Sequence, residues 1–203
     1  MTTFVTDIAA LEALYDAKPS AAATDKVAHQ MTPLYRRWIM DSRFCVLSTV
    51  GPEGTDGSPR GDDGPVVVEL DPNTLAMPDW RGNNRLDSLR NIVADGRVSL
   101  MFMVPGSANV VRVNGHARIT ADAGICARFA RRELQPRSVI IIQIAEIYTQ
   151  CARALIRSRL WTAGDESAGL PSVGDILSEM TDGAFDGTSY DAEWTRRAER
   201  TMW

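Results

Sequence analysis

Between residues 44 and 148 the chain sets six strand-like runs among turn signals and only two helical patterns, and that rhythm excludes most architectures. The runs are 44–49 (FCVLST), 66–70 (VVVEL), 75–77 (LAM), 98–104 (VSLMFMV), 110–120 and 139–148, rich in β-branched and large apolar residues. The helical patterns, at 86–94 and 123–134, fall between strands without a regular strand–helix–strand repeat. A doubly wound parallel sheet is therefore disfavoured. The expectation is a mainly β fold with flanking helices, its six strands closed into a barrel or a strongly curled sheet. DPNT at 71–74 is a hairpin signal, while Gly106 and Gly115, in VPGS and VNGH, carry turn or bulge chemistry.

Outside this block the pattern changes. Residues 5–41 read as helical, with Ile8, Leu11 and Leu14 on one face and a break at 18–25 (KPSAAATD) before a second helix over 27–40. Residues 151–161 read as a short helix with an extended end, and 171–180 as another helix with Ser172 as its cap. Residues 181–203 are polar but carry Phe185, Tyr190, Trp194 and Trp203, an aromatic load expected to dock on the same domain or on a second subunit. The resulting division is a helical segment (1–42) packing on a barrel domain (43–161), followed by a helical or irregular extension (162–203).

Composition narrows the function classes. A formal charge of −4 opposes a role that depends on broad attraction to nucleic acid or anionic membrane. Cys45, Cys126 and Cys151 are widely spaced, odd in number and without a CxxC pair, so neither a disulfide framework nor a zinc site is expected, and all three read as packing residues. With no signal-type start and no run of membrane-spanning length, a soluble cytoplasmic protein is expected.

The chemistry concentrates at 77–92, MPDWRGNNRLDSLRNI. It reads as a strand end, a turn at Pro78 and Asp79, a polar elbow, and an amphipathic helix carrying Leu86, Leu89 and Ile92. Asn83 and Asn84 are good N-cap residues, Gly82 permits close backbone approach, and Arg81 and Arg85 flank a helix start whose free N–H groups favour an anion. The same residues also open ordinary surface helices that bind nothing. A second basic segment, SPRGD at 58–62, reads as a loop before the strand at 66–70 and is expected to bring Arg60 to the same end of the sheet. Guanidinium groups converging from separate elements suit a phosphate dianion, which they pair bidentately. His116 reads as a solvent-facing strand residue, His29 as part of a surface helix, and Arg128, Arg131 and Arg132 as a solvated helix face.

SPRGD, MPDWRGNNRLDSLRNI, FMVPG at 102–106, VRVNGHARI at 111–119 and CARALIRSRLW at 151–161, in this order and spacing, resemble the pyridoxamine 5'-phosphate oxidase-like group, the FMN-binding split barrels, and within it an uncharacterised bacterial branch. The resemblance implies a six-stranded antiparallel barrel, a homodimer, and FMN in clefts between the subunits. It places Arg60, Arg81, Asn84, Arg85 and Ser88 on the phosphate and ribityl chain, with Gly61, Asp62 and Asn83 in the same segments. Pro78 and Asp79 would lie beside the isoalloxazine ring, and Ser158, Arg159 and Trp161 near the cleft from the partner chain. The oxidase's C-terminal substrate-binding stretch has no counterpart in 164–203, so the resemblance supports the cofactor better than vitamin B6 as substrate. The function it implies is flavin-dependent oxidation or reduction of a small molecule. The alternatives are a flavin store or sensor without turnover, and a pocket for pyridoxal phosphate or another phosphorylated ligand.

Overall fold

The computed structural model describes residues 2–15, 17–131, 133–151 and 153–202. Three short helices come first: α1 (Ile8–Glu12), α2 (Ala21–Thr24) and α3 (Pro33–Met40). Strands β1 (Phe44–Gly51), β2 (Gly54–Gly61), β3 (Val68–Asp71) and β4 (Thr74–Asp79) lead into α4 (Asp87–Ala94). Then come β5 (Arg97–Met103), β6 (Asn109–Thr120), α5 (Ala123–Ala127) and β7 (Ser138–Cys151), followed by α6 (Arg153–Arg157), α7 (Val173–Met180), α8 (Gly187–Ala192) and α9 (Trp194–Thr201).

The described strands form one antiparallel sheet in the order β2-β1-β5-β6-β7-β4-β3. It has seven strands where the sequence predicts six, and the added one is β2, the segment read as a loop. Gly, Ser, Asp and Pro give β2 no apolar alternation to read. It is held instead by continuous pairing with β1, from Phe44 opposite Gly61 to Gly51 opposite Gly54. Pro59 is tolerated because β2 has a sheet neighbour on one side only, so its missing N–H breaks no second ladder.

Alternation sets the core. Cys45 and Leu47 from β1, Leu100 and Phe102 from β5, Val111 and Val113 from β6, and Ile140, Ile142 and Ile147 from β7 are buried together. Completely burying Phe102 contributes about 1.5–3 kcal/mol relative to exposure. Along β7 the buried phase passes from Ile142 and Ile144 to Ile147 because the register slips by one residue: Asn114 faces Glu146, but Gly115 faces Ile144. A Cβ at Gly115 would run into the Gln143 carbonyl oxygen, so this bulge requires glycine. His29, exposed and outside any helix, places Nδ1 2.8 Å from the Ala145 carbonyl oxygen at the same bulge, correcting the surface-helix expectation.

The other boundary differences have local causes. The predicted 27–40 helix starts only at Pro33, because proline favours the first helical position and disfavours helical backbone before it; Ala28 instead bridges Ile147. The break at 18–25 contains the single turn α2. Val66 and Val67 are buried but precede β3. Pro78 and Asp79, expected in a turn, are the end of β4, opposite Val139 and Ser138. Ladder pairing with β3 ends at Ala76, which leaves Pro78 free of a donor requirement on that side. The predicted 123–134 helix stops at Ala127, and Arg131 and Leu134 pair with each other beyond it. The short helix in 151–161 is α6, with Cys151 still in β7 and exposed, so the packing role expected of it is not observed.

Ser172 caps α7 through a capping box with Asp175. α7 and α8 cross where Gly174 and Gly187 bring their backbones together, and Asp191 accepts from the Ser172 hydroxyl and, at 3.0 Å, from the Gly174 N–H. Phe185 meets Tyr190 edge-on, with ring centroids 5.5 Å apart, and Arg197 lies over the rings of Tyr190 and Trp194. Trp203 lies outside the described residues.

Candidate functional site

Curling of the sheet brings β2 and β4 together although four strands separate them in the hydrogen-bonded order. The Arg60 guanidinium on β2 donates to Asp79 Oδ1 on β4 at 2.7 Å, both side chains being mostly buried. Beside this link opens a cleft of about 1270 Å³, walled by β2, the end of β4, the elbow 80–86, the first turn of α4, Arg137 and Ser138, and Met202. It exceeds the roughly 300–1,000 Å³ usual for small-molecule pockets. Arg60, Gly61, Asp62, Pro78, Asp79, Arg81, Asn83, Asn84, Arg85 and Ser88, singled out from two separate motifs, all line this cleft.

The elbow is built differently from its sequence reading. Neither asparagine caps α4. Leu86 occupies the N-cap in left-handed backbone (φ 64°), without a side-chain cap, and Asn84 is also left-handed at φ 60°. Asn83 Oδ1 accepts from the Arg85 N–H at 3.1 Å, so its amide stabilises the turn before the helix. The helix start thus keeps its first-turn donors without a capping side chain. Arg85 pairs with Asp87 at 2.8 Å, but both are exposed, and such a pair is easily exchanged for a better anion. Arg81 and Arg137 make no ion pair among the described residues. Ser88 is buried, and its hydroxyl donates to the Asp56 carboxylate; with the Asn91 amide donating to Thr49 Oγ1 at 3.2 Å, this ties α4 to β2 and β1. The Arg60 Nε–H is buried and has no hydrogen-bond partner among the described residues.

The opposite wall centres on Asp62, whose side chain is 5% exposed. It accepts from the Arg131 guanidinium, from the indole N–H of Trp80 at 3.2 Å and from the Asp63 N–H at 2.7 Å. Arg131 also bonds Asp63, holding that carboxyl below the usual carboxylate range, and its guanidinium carbon lies 5.8 Å from the centre of the Trp80 ring. The expectation that Arg131 lies on a solvated helix face is therefore corrected; Arg132 lies outside the described residues. Sequence reasoning missed Asp56, Trp80, Arg131 and Arg137. Trp80 could have been found, as an aromatic inside the polar elbow motif, whereas Arg131 carries no local signal because it meets Asp62 across 69 residues.

The late motif lies elsewhere in the same chain. Ser158 donates to the Leu155 carbonyl at 3.2 Å, Arg159 is exposed and 3.7 Å from Glu166, and the Trp161 indole donates to the Ser107 carbonyl at 2.9 Å. None of the three lines the cleft. His116 is exposed on its strand, as predicted. Burial pushes the Cys45 thiol up to about 12, which leaves it an unreactive packing group. Among the described residues no cluster of His, Cys, Asp or Glu could hold a metal, and no helix is long and apolar enough to cross a membrane.

A family profile described as pyridoxamine 5'-phosphate oxidase matches residues 31–151. Comparison with curated protein sequences yields no match. Among solved structures, HupZ of Group A Streptococcus is similar with a TM-score of 0.50 and 17% identity, over 60% of this chain and 95% of that one. General Stress Protein 26 of Bacillus anthracis (TM-score 0.44, 19% identity, 56% and 88% covered) and an FMN-binding protein of Syntrophomonas wolfei (0.43, 13%, 56% and 86%) are further matches. At these identities the likeness concerns the fold alone.

Proposed function

Because the chain belongs to the pyridoxamine 5'-phosphate oxidase family, we propose that the cleft between β2, β4 and the start of α4 binds FMN and that the protein is a flavin-dependent oxidoreductase of a small molecule. The observation that carries this reading is the convergence of arginines from separate elements on an uncapped helix start, beside a buried Arg60 Nε–H with no partner among the described residues. These residues fit the cofactor. Arg81, Arg85 and Arg137 would hold the phosphate, since guanidinium forks match its oxygens and two of the three make no ion pair among the described residues. Asn84 and Ser88 would border the ribityl chain, and Pro78 and Asp79 the ring. In this reading the curled sheet is the family's split barrel.

Bound FMN would supply the hydride or electron transfer itself, so the chain's task is to hold and tune it. Arg60 is the tuning group: Asp79 fixes its guanidinium, and the spare Nε–H is available to an electron-rich ring atom, where a donor in a dry site favours the reduced anion. Ser158, Arg159 and Trp161 enter the proposal through a second copy of the chain, with the cleft completed at a homodimer interface.

The non-catalytic reading, an FMN store or sensor, is favoured by one observation. Asp56, Asp62 and Asp79 already bind Ser88, Arg131 and Arg60, so none is an idle base. The ultraviolet-visible spectrum of the purified protein, with heat-released ligand identified by chromatography, tests the cofactor. Flavin bands and released FMN are expected, and a colourless protein that takes up no added FMN overturns the proposal. Anaerobic reduction followed by oxygen or a candidate acceptor then separates turnover from storage.

A further inference from the structure

The cleft has one aromatic side chain among the described residues that line it, Trp80, and that side chain is anchored. Its indole N–H donates to Asp62 at 3.2 Å. Asp62 cannot swing away, because it also accepts from Arg131 and from the backbone N–H groups of Asp63, at 2.7 Å, and Gly64, at 3.4 Å, while its side chain is almost wholly enclosed. Arg131 is not among the residues lining the cleft; it supports the wall, reaching Asp62 and Asp63 and lying over the indole. A carboxylate with this many donors, one of them a guanidinium, is a fixed point, and an indole tied to a fixed point has its orientation set before any ligand arrives. Trp80 directly follows Asp79, the partner of Arg60, and so adjoins the end of the cleft assigned above to the ring rather than to the phosphate.

We propose that Trp80 is the stacking wall for the flat ring of the bound flavin, with Asp62 and Arg131 as the positioning residues that hold it there. The proposal rests on the FMN reading and adds a contact that neither the motifs nor the family match assigns. Aromatic rings gain from offset or edge contacts beyond the area they bury, and a ring held in advance loses little freedom on binding. An indole in contact with an excited flavin gives it one electron and takes it back without net change, so the flavin's emission is lost.

Flavin emission therefore tests the contact without reference to activity. FMN is titrated into the full-length protein, and the emission and lifetime of the bound flavin are recorded for the wild type, Trp80→Phe, Arg131→Met and Arg131→Lys. The wild type is expected to bind FMN with its emission quenched. Trp80→Phe, a poorer electron donor that keeps a ring, is expected to bind it with several-fold brighter emission and affinity weakened by no more than about tenfold. Arg131→Met, which leaves the indole but frees Asp62, is expected to brighten the flavin in part, and Arg131→Lys to restore quenching. If the bound flavin is equally dark in wild type and Trp80→Phe, or Arg131→Met leaves the lifetime unchanged should Trp80→Phe not fold, the stacking wall is refuted while the cofactor assignment stands. A wild type that takes up no FMN sinks both.

Discussion

Arg85 and Arg60 are both arginines of the cleft, but their surroundings give them different consequences. Arg85 is exposed and pairs with an exposed carboxylate, so Arg85→Ala should leave stability within about 0.5 kcal/mol of wild type, the usual range for surface substitutions. If it holds phosphate, the same change should weaken FMN binding by about ten- to a hundredfold, as expected for losing a charged hydrogen bond, and fluorescence titration reads this directly. Arg60 is mostly buried against Asp79, so Arg60→Ala strands a carboxylate and should lower stability as well as affinity. A second residue-scale prediction concerns Asp95, where the Arg97 side chain, assisted by the Arg97 N–H, lowers the carboxyl to about 2. With the folded value below the unfolded one, its stabilising contribution is complete above 3.8 and is lost as pH falls through about 2. A carboxyl titration by NMR should show Asp95 among the last groups to protonate, and Arg97→Ala should return it towards 3.8.

Elements differ in how far local sequence specifies them. β5, β6 and β7 announce themselves by apolar runs, and α7 by Ser172 and Asp175, because their stabilising contacts follow the period of the chain. β2 has no such period: its pairing with β1 is set by backbone hydrogen bonds and a tight hairpin, neither of which leaves an apolar signature. Arg81 and Arg85 were legible for the same reason, since a helix start and its flanking charges are local, whereas Arg137 carried no such signal. Asp62–Arg131 was not, because it joins a strand end to an irregular segment far along the chain. The bulge between β6 and β7 offers a test at this scale. Gly115→Ala forces a methyl group into the Gln143 carbonyl and should cost about 1–3 kcal/mol in urea unfolding. Gly57→Ala, where no described residue other than the two chain neighbours comes within 4 Å of the added carbon, should stay within about 0.5 kcal/mol.

At the scale of the molecule, the cleft lies where the ends of the sheet's hydrogen-bonded order approach one another, and among the described residues no ladder joins β2 to β3. Side chains bridge that gap, Arg60 to Asp79 and Trp80 to Asp62. A ligand that touches both sides should stabilise the fold by about 2.7 kcal/mol when its free concentration is a hundred times Kd. Its protection against amide exchange should be greatest in β2 and β4, and equal protection throughout the sheet would contradict this placement. The strand order has one more consequence. Because the cleft exists only after the intervening strands have paired, a half-assembled chain has nowhere to hold a ligand. If the cleft binds FMN as proposed, its occupancy at saturating ligand would count the molecules whose sheet has finished curling, and the ratio of bound flavin to total chain would then assay correct folding.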